Sequence, residues 1–509
     1  MNNRRDAAFA LLVVLYVLFL LAFVWRSSAV IAGERFFALN DDAMISMRYA
    51  HNFAEGHGLV WNVGERPIEG YTNLLWVLIM ALVHVLLPAP KASGAVQALG
   101  LTLLVTNLFV VRRLAEQVGA GVVGSVGAAF LTALYNPLTM RSLQGSELAL
   151  LVPVIGLAVA VALHNMTAQR FSSVPYWALG VATLLRLDAA AVFVGLLAGL
   201  AWFDRAHRRA HLRNGIGVLL LFVAAQTVFR LEYYGEWLPN TYYLKMTGYP
   251  ALWRMAWGLR GLAGWVWHST WILLALAAIT AYRTPSGAII AIVAGAQFAY
   301  AAYIGFADDR FTTIAMPFVF ALAAPGVEAI TARAASKLAA PGYARLNPIT
   351  WSCVMLVAIG AWTFETETPR YRRFPQGVLA RDRALEELTT AEARVAVCAA
   401  GTLYYLDRPG VDVLGKNDYT LARAPVHASF RRFGAGYVSG HMKWDYAYSI
   451  GTLAPDVVAE LWRYPEEAAP YLQAYEPVRI GEETVFVRRG SPHIRWDRLA
   501  SRQSSATAQ

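Results

Sequence analysis

Two adjacent aspartates, Asp41 and Asp42, lie shortly after the first long hydrophobic run of the chain. A carboxylate at a membrane edge is energetically costly, so it usually marks a functional position. Such a group could act as a general base that removes a proton from an attacking hydroxyl. Both aspartates, like Asn40, are also good N-caps for the helix predicted from Ala43 onward. Catalysis and capping are both open, and one residue could do both.

Metal ligation is a third interpretation of the aspartate pair, because Ca²⁺ and Mg²⁺ prefer oxygen ligands. Glu55, Glu65 and Glu69 could supply further oxygen atoms. His51 and His57 have no spacing typical of a metal site and are interpreted as structural residues. We therefore assign no cofactor, and a divalent cation bound by these oxygen atoms stays one of the alternatives.

A second segment that could do chemistry is "RLEYYGEWLPNTYYLK", which begins at Arg230. Its aromatic residues are typical of a belt at lipid headgroup depth. Alternatively, the rings form a platform for a sugar, with Glu232, Asn240 and Lys245 bonding to hydroxyl groups or phosphate. The two interpretations have about equal support from the sequence.

Two arginines could hold a lipid-linked phosphate, because the planar guanidinium group matches phosphate geometry. Arg310 lies in "FADDRF", where a salt bridge with Asp308 or Asp309 is the simpler interpretation. Arg186 offers the same two alternatives, with Asp188 nearby. In the tail, "YVSGHMKWDYAY" brings charged and aromatic groups together, but a solvated surface is the favoured interpretation there.

These residues belong to a chain that is 57% hydrophobic and 15% charged, whereas a soluble domain carries about 25% charged residues. Recurrent apolar runs predict a polytopic, mainly α-helical membrane protein. The net charge of +10 reflects basic residues at the ends of these runs, so nucleic-acid binding is excluded. The two cysteines form no metal motif. The predicted spans are 7–30, 94–111, 120–136, 147–164, 173–185, 188–203, 214–231, 262–282, 286–305, 312–330 and 347–363.

The distribution of basic residues predicts the topology. Arg4 and Arg5 place the N-terminus in the cytoplasm, and all segments described above then lie on the outer face. The apolar run 71–87 would break this alternation, so we predict an outer juxtamembrane helix ending before Pro88. The predicted domains are a transmembrane domain (1–363) with its first outer loop at 32–93, a periplasmic α/β domain (364–495) and a disordered tail (496–509).

Several sequence blocks together resemble one family. They are "DDAMISMRYAHNFAEGHGLVWNVGERPIEGYTN", "GSELAL", "LLRLDAA", "LPNTYYLK", "DDRFTTIAMP", "GVDVLGKNDYTLA" and "SGHMKWDYAYSIGTLAPDVV". Their order over about residues 38–460 is similar to that of the membrane arabinofuranosyltransferases, which include the mycobacterial terminal β-(1→2)-arabinofuranosyltransferase and the type IV pilin arabinosyltransferase.

The resemblance implies a GT-C glycosyltransferase fold with about eleven transmembrane helices and a C-terminal periplasmic domain. It also implies a polyprenyl-phosphoryl arabinofuranose donor, with Asp41 or Asp42 as the base. Residues carried over from the first loop as shaping the site are Arg48, Asn62, Glu65, Glu69, Tyr71 and Thr72. Other predicted substrate or donor contacts are Glu147, Arg186, Asp188, Asn240, Tyr243, Lys245, Arg310, His441 and Lys443.

Two departures from the family pattern make the identity of the donor less certain. The chain has "GSE" at Glu147 where "GLE" is expected, and "RLD" at Arg186–Asp188 where "RPE" is expected. Both departures retain the acidic residue, so we expect the site to be retained.

The predicted function is transfer of a sugar from a polyprenyl phosphate to a glycan or pilin-like protein acceptor on the outer face of the bacterial plasma membrane. A GT-C enzyme for mannose or aminoarabinose is the main alternative. A transporter is a less favoured alternative, because it would show inverted repeats or charges midway through its spans. A noncatalytic protein that binds lipid or glycan is the remaining alternative, which a measurement of activity would test.

Overall fold

The computed structural model describes residues 2–31, 33–37, 39–305, 310–337, 347–367, 376–431, 440–481 and 483–507. Most of these residues are helical. The α-helices are α1 (Asn2–Ser27), α2 (Asp41–Ala54), α3 (Leu74–Leu86), α4 (Ala89–Gln117), α5 (Val122–Leu134), α6 (Asn136–Leu143), α7 (Leu148–Thr167), α8 (Val174–Leu185), α9 (Ala189–Phe203), α10 (Arg208–Tyr234), α11 (Asn240–Met246), α12 (Ala251–Trp265), α13 (Trp271–Ala281), α14 (Pro285–Tyr303), α15 (Arg310–Thr313), α16 (Met316–Lys337), α17 (Pro348–Glu367), α18 (Gln376–Leu388), α19 (Leu403–Leu406), α20 (Tyr419–Arg423) and α21 (Trp496–Thr507).

Short helical turns of other types complete these elements. The 3₁₀ turns are Arg205–His207, Ala400–Thr402, Ala428–Arg431, Pro465–Ala468 and Leu472–Ala474. Two π-helical segments occur, at Val266–Thr270 and Ala447–Thr452.

Each of the eleven predicted spans is largely helical, although 262–282 contains a sharp bend, and this confirms the mainly α-helical fold class. In the described part of the chain, six helices are long and apolar enough to cross a membrane, and two bent helix pairs raise the number to eight. The bends are 54° between α5 and α6 and 91° between α12 and α13. Shorter apolar helices at Val174–Leu185, Ala189–Phe203 and Pro348–Phe364 match the three other predicted spans.

Helix α3 occupies the apolar run that we assigned to the outer surface. Its 13 residues extend about 20 Å, which is less than the roughly 30 Å of a bilayer's hydrocarbon core. Leu82, Val85 and Leu86 are exposed near its end. Helix α8, which we predicted to cross, has only 12 residues, so length does not separate the two helices, and the position of α3 relative to a membrane stays a prediction.

The chain forms two compact units. Unit 1 contains Met1–Arg26, Gln97–Gln226 and Pro250–Arg372, and unit 2 contains Ser27–Val96, Thr227–Tyr249 and Arg373–Gln509. The first predicted outer loop therefore belongs to the same unit as the C-terminal region, whereas the sequence analysis placed it with the transmembrane domain. The physical reason is pairing between residues more than 300 positions apart, which local hydropathy does not reveal.

Unit 1 is a helical bundle. Helix α16 packs against α13 and α5, and α14 packs against α9. Small residues permit close packing, as where Gly326 lies directly against the backbone of Leu276.

Unit 2 contains two sheets. Strands β1 (Ala29–Ile31) and β2 (Glu34–Phe36) form an antiparallel pair. The larger sheet contains β3 (Val395–Val397), β4 (Gly410–Asp412), β5 (Val457–Val458), β6 (Tyr475–Ile480) and β7 (Glu483–Arg488), in the order β4-β3-β5-β7-β6. Strand β3 runs parallel to β4 and β5, while β7 is antiparallel to β5 and β6. The segments "ARVAVCAAGTLYYL" and "GVDVLG" predict short buried strands and "YLQAYEPVRIGEETVFVRRG" predicts a hairpin. These elements are confirmed, whereas β5 was not predicted.

The predicted disorder over residues 496–509 was wrong for Trp496–Thr507, which form helix α21. Leu499 is buried, and the Trp496 indole donates a hydrogen bond of 3.0 Å to the carbonyl of Ser491. Polar composition suggested disorder, but these two apolar side chains, three residues apart, anchor one face of the helix. Residues 508 and 509 lie outside the described part.

Candidate functional site

The two aspartates occupy the first turn of α2 in unit 2. Asn40 is the N-cap, because its Oδ1 accepts a 2.8 Å hydrogen bond from the backbone N–H of Ala43. The carboxylates of Asp41 and Asp42 are therefore available for other contacts. The helix dipole favours negative charge in this first turn.

Lys416 joins the two carboxylates. Its Nζ lies 2.6 Å from Oδ1 of Asp42 and 3.3 Å from Oδ2 of Asp41. The lysine side chain is 10% exposed, whereas those of Asp41 and Asp42 are 35% and 44% exposed. One shielded ammonium group therefore balances two carboxylates that a ligand can still reach.

The surroundings of Asp41 raise the pKa of its carboxyl group. Burial by protein atoms is the largest cause, and the adjacent charge of Asp42 acts in the same direction. The ammonium of Lys416 and a 2.8 Å hydrogen bond from the Gly401 N–H oppose the rise. Burial lowers the pKa of Lys416, but Asp42 and Asp41 outweigh this effect and raise it overall. Lys416 therefore remains protonated beside a carboxylate with an elevated pKa.

A close backbone approach explains the glycine at position 401. A Cβ atom there would lie 2.4 Å from the backbone oxygen of Asp41 and 2.7 Å from Cβ of Met44. Only glycine lets the turn after β3 reach the start of α2 and donate its N–H group.

The loop that carries Lys416 is fixed at two points. Buried Asp412 accepts hydrogen bonds from the N–H groups of Leu414, Gly415 and Asn417. From the other side, the amide nitrogen of Asn240 lies 2.9–3.1 Å from the backbone oxygens of Gly415, Lys416 and Asp418.

Asn240 was predicted to contact substrate, but its amide is buried and serves the lysine loop. The sequence analysis did not select Lys416. The one sequence signal for Lys416 was its position within the block "GVDVLGKNDYTLA", which carries part of the family resemblance.

Arg48 lies on α2 but binds the protein rather than facing a cavity. Its guanidinium donates to the carbonyls of Trp61, Leu403 and Arg408 at 2.6–2.8 Å, and the residue is buried. Asn62 exchanges two hydrogen bonds of 2.9 Å with the backbone of Gly410 on β4. Both residues therefore shape the site by joining the first loop to the C-terminal region.

The other predicted first-loop residues also have protein partners. Glu65 forms a 2.9 Å ion pair with Arg394. Buried Glu69 contacts Arg230 at 2.7 Å. Burial raises the pKa of Glu69 to about 7, although the arginine opposes the change.

Tyr71 and its neighbour end this loop. The hydroxyl of Tyr71 bonds to that of Tyr234 at 2.9 Å, and the ring is buried. Thr72 is partly buried beside it. These positions support the loop, while direct substrate contact stays a prediction.

In unit 1, the two blocks that depart from the family pattern meet at one arginine. Arg186 donates two hydrogen bonds of 2.8 and 2.9 Å to Asp188 and one of 2.7 Å to Glu147. Its guanidinium also lies 5.0 Å from the ring centroid of Phe311. The two retained acids therefore balance a buried cation, and a phosphate contact by Arg186 stays a prediction.

Arg310 begins the short helix α15. Asp308 and Asp309, its predicted salt-bridge partners, lie outside the described residues. The choice between a salt bridge and phosphate binding therefore stays open for Arg310.

In the aromatic segment "RLEYYGEWLPNTYYLK", the ring of Tyr243 packs against Arg423, which also contacts Tyr419. Arg423 lies 3.9 Å from the ring centroid of Tyr243 and 3.7 Å from that of Tyr419. Lys245 is partly buried near the end of α11. Trp237 is 66% exposed, which suits the membrane belt interpretation.

Lys443 is enclosed in the protein, so the predicted solvated surface is wrong at this residue, while its contact with the donor stays a prediction. It is 1% exposed, and its ammonium lies 2.9–3.0 Å from Tyr243 O, Thr247 Oγ1 and Ala422 O. Three hydrogen bonds use all three of its donors. His441 packs against Trp462, with the ring centroids 5.5 Å apart.

Within the described ranges, no group of three or more His, Cys, Asp or Glu side chains is arranged to hold a metal ion. Lys416 occupies the position between Asp41 and Asp42 where a cation would balance their charges. This geometry provides carboxylates that can accept a proton and a lysine that balances their charge.

No family model and no curated protein matches the sequence. Among solved structures, ArnT from Cupriavidus metallidurans bound to undecaprenyl phosphate is similar, with a TM-score of 0.55 and 14% identity over 94% of this chain and 98% of ArnT. The chain has the GT-C fold. ArnT from Cupriavidus metallidurans in the apo state is also similar to this chain, with a TM-score of 0.54 and 14% identity over 93% of this chain and 97% of ArnT.

The GT-C fold is also found in the Archaeoglobus fulgidus oligosaccharyltransferase tethered to an acceptor peptide. That similarity has a TM-score of 0.51 and 12% identity, over 96% of this chain and 74% of the other. At such low identity the comparisons establish the GT-C fold, which was predicted, and leave the reaction to be argued from the site.

Proposed function

We propose that this protein is a membrane glycosyltransferase that moves a sugar from a polyprenyl phosphate to an acceptor hydroxyl group. The observation that carries this proposal is the accessible pair Asp41 and Asp42, held by the shielded ammonium of Lys416. The GT-C fold supports it, since the similar ArnT structure is bound to undecaprenyl phosphate.

In the proposed reaction, the carboxylate of Asp41 takes the proton of the acceptor hydroxyl as its oxygen attacks C1 of the donor sugar. The bond from C1 to the phosphate oxygen breaks, and polyprenyl phosphate leaves with the bonding electrons. Since a phosphate is already a good leaving group, the reaction needs no protein acid. The stereochemical outcome is left open.

Asp42 and Lys416 have separate tasks in this mechanism. Asp42 orients the reacting groups or stabilises positive charge that develops on the sugar ring. Lys416 favours the ionised form of Asp41, because its positive charge opposes the rise in the pKa of that carboxyl group. Oδ1 of Asp41 accepts the N–H of Gly401, and Oδ2 lies 3.3 Å from Nζ of Lys416, so the acceptor hydroxyl would approach a remaining lone pair of this carboxylate.

The leaving phosphate requires cations, and Lys245, Arg186 and Arg310 stay the predicted candidates. Glu147 and Asp188 bind the guanidinium of Arg186, so a phosphate at this residue would compete with two carboxylates.

Arabinofuranose is the proposed sugar, on the resemblance of the sequence blocks. The similarity to ArnT supports aminoarabinose as a second candidate. The proposed acceptor is a glycan or a pilin-like protein. The proposed location is the bacterial plasma membrane, with the N-terminus in the cytoplasm and the carboxylate pair on the periplasmic side.

A donor panel tests the proposal. Purified protein in lipid nanodiscs is offered polyprenyl-phosphoryl arabinofuranose, aminoarabinose and mannose separately, with a mixture of glycan acceptors, and release of polyprenyl phosphate is measured. Turnover of arabinofuranose supports the full proposal. Turnover of another sugar alone retains the reaction and rejects arabinofuranose. If no donor reacts in the presence of acceptor, the glycosyltransferase proposal fails.

A further inference from the structure

A cleft in the C-terminal part of unit 2 takes no part in the proposed reaction. Its volume is about 340 Å³, near the lower end of the ~300–1,000 Å³ typical of small-molecule sites. Trp444, Asp445 and Tyr446 line it, and all three come from the block "SGHMKWDYAY". This block is part of the family resemblance, but the resemblance assigned no role to these three residues.

Aromatic rings form much of this cleft. Trp444 and His427 stack with centroids 3.9 Å apart and an angle of 23° between their planes. Tyr464 stacks on the same pair, with its centroid 5.9 Å from that of His427. Tyr471, which is 36% exposed, also lines the cleft. Flat apolar surfaces of this kind suit the C–H faces of a sugar ring.

A carboxylate is fixed among these rings. Oε2 of Glu467 lies 3.1 Å from Nε2 of His427 and 3.4 Å from Nε1 of Trp444. The N–H of Ser429 lies 3.3 Å from Nδ1 of His427, and an Nε2–H on the same ring would donate to Glu467. Glu467 is nevertheless 42% exposed, which leaves acceptor capacity for a ligand hydroxyl.

Backbone geometry is specialised at two residues that contact the lining of the cleft. Tyr464 adopts a left-handed conformation with φ of 54°, which is uncommon for an aromatic residue. Gly451 lies under Tyr471, where a Cβ atom would come within 2.9 Å of the tyrosine ring. Such features are found where a side chain must be held in a particular position.

We propose that this cleft binds a neutral saccharide. The partly exposed ring of Tyr471 receives the apolar sugar face, since the ring of Trp444 is buried, and the carboxylates of Glu467 and Asp445 accept hydrogen bonds from sugar hydroxyl groups. Two negative charges at the cleft disfavour an anionic sugar. The two donors already bound to Glu467 make the site a poorer cage for an ammonium ion.

The cleft is linked to the carboxylate pair through one hydrogen bond within unit 2. Tyr448, the last residue of the block "SGHMKWDYAY", donates a 3.2 Å hydrogen bond to Asp418, two residues after Lys416. A saccharide in the cleft is therefore held by the same unit as the proposed base. Its assignment as part of the acceptor glycan rests on the proposed function, whereas saccharide binding does not.

Direct binding measurements separate the two proposals. Full-length protein in nanodiscs is titrated with neutral arabinofuranose and mannose oligosaccharides, an oligomeric uronic acid, choline and a short peptide library. We expect a neutral oligosaccharide to bind and the uronic acid to bind more weakly. Absence of saccharide binding, or binding of choline or peptide instead, would overturn the proposal even if the donor panel shows turnover.

Matched variants place the binding in this cleft. Glu467→Gln should weaken saccharide binding by about tenfold, whereas Glu466→Gln makes the same charge change one residue away and should leave it unaltered. Tyr471→Ala should weaken binding, and Tyr471→Phe, which retains the ring, should restore most of it. Equal affinity in Glu467→Gln, Tyr471→Ala and Glu466→Gln would show that the saccharide binds elsewhere.

Discussion

Nζ of Lys416 lies 2.6 Å from Oδ1 of Asp42, a residue 374 positions earlier in the chain. This contact joins the start of helix α2 to the loop after strand β4. It also keeps the positive charge shielded while the carboxylate is partly exposed. The positive charge of Lys416 therefore favours the ionised form of the neighbouring carboxylate, which is the form that accepts a proton.

Removing the charge of Lys416 should shift the pH dependence of turnover. A general base acts when deprotonated, and Lys416 lowers the pKa of Asp41. In Lys416→Met the pKa of Asp41 rises, so the acidic limb of the kcat/KM profile should move to higher pH. Activity at neutral pH then falls.

Lys416→Arg is the matched control for this profile, because it retains a positive charge in the same loop. Its acidic limb should stay close to that of the wild type. An acidic limb in Lys416→Met that is unmoved, or displaced to lower pH, would show that the lysine does not control the base.

Asn240 should matter for both stability and turnover, because its amide faces three backbone oxygens around Lys416. Asn240→Asp removes the donor and places a carboxylate against these oxygens. The expected destabilisation is about 2–4 kcal/mol, from one lost donor and unsatisfied buried acceptors.

Asn240→Ala, which only removes the amide, should be less damaging than Asn240→Asp. Thermal unfolding in detergent and turnover at a temperature where both variants are folded measure the two effects. If Asn240→Asp matches the wild type in both, the amide does not hold the lysine loop.

The buried pair of Glu69 and Arg230 predicts a large double-mutant coupling. Arg230→Met leaves an unpaired buried carboxylate, at an expected cost of about 3–5 kcal/mol. The variant that combines Arg230→Met with Glu69→Gln should recover part of this loss. Additive effects of the two single substitutions on the free energy of unfolding would show that the pair is not coupled.

The same variants should differ in pH dependence. The folded-state pKa of Glu69 is about 7, above its ordinary 4.5, so its contribution to stability is full below pH 4.5 and is lost as pH rises through 7. Without Arg230 the pKa rises further, and the loss should continue to higher pH. Unfolding of Arg230→Met measured between pH 4.5 and 8 should show a steeper decline than that of Glu69→Gln.

The helical architecture could be predicted from the sequence because hydrophobicity is a local property. Every apolar run that we identified as a span contains helical residues, and the assignment of α3 to the outer surface stays a prediction. Short strand β5 escaped prediction, because Val457 and Val458 pair with residues far away in the chain. Helix α21 was missed since its polar composition outweighed two anchoring side chains.

The candidate site was only partly predictable. Asp41 and Asp42 were selected as unusual charges near a membrane span, a local signal. Their partner Lys416 could not be selected, because no periodicity links it to α2. Arg48 and Lys443 were expected near substrate, yet each binds backbone oxygens inside unit 2. Residue type alone does not distinguish a ligand contact from such a clamp.

The most direct test of the central claim compares Asp41→Asn, Asp42→Asn and the control Asp497→Asn. Release of polyprenyl phosphate is measured with the reactive donor and acceptor, on protein whose thermal unfolding matches the wild type. Folding should be retained, since Asn40 caps the helix. Loss of a general base should lower turnover by about 10²–10⁴-fold in Asp41→Asn, with a smaller loss in Asp42→Asn and none in Asp497→Asn. Wild-type turnover in Asp41→Asn would contradict its assignment as the base, and wild-type turnover with both aspartates replaced would contradict the account as a whole.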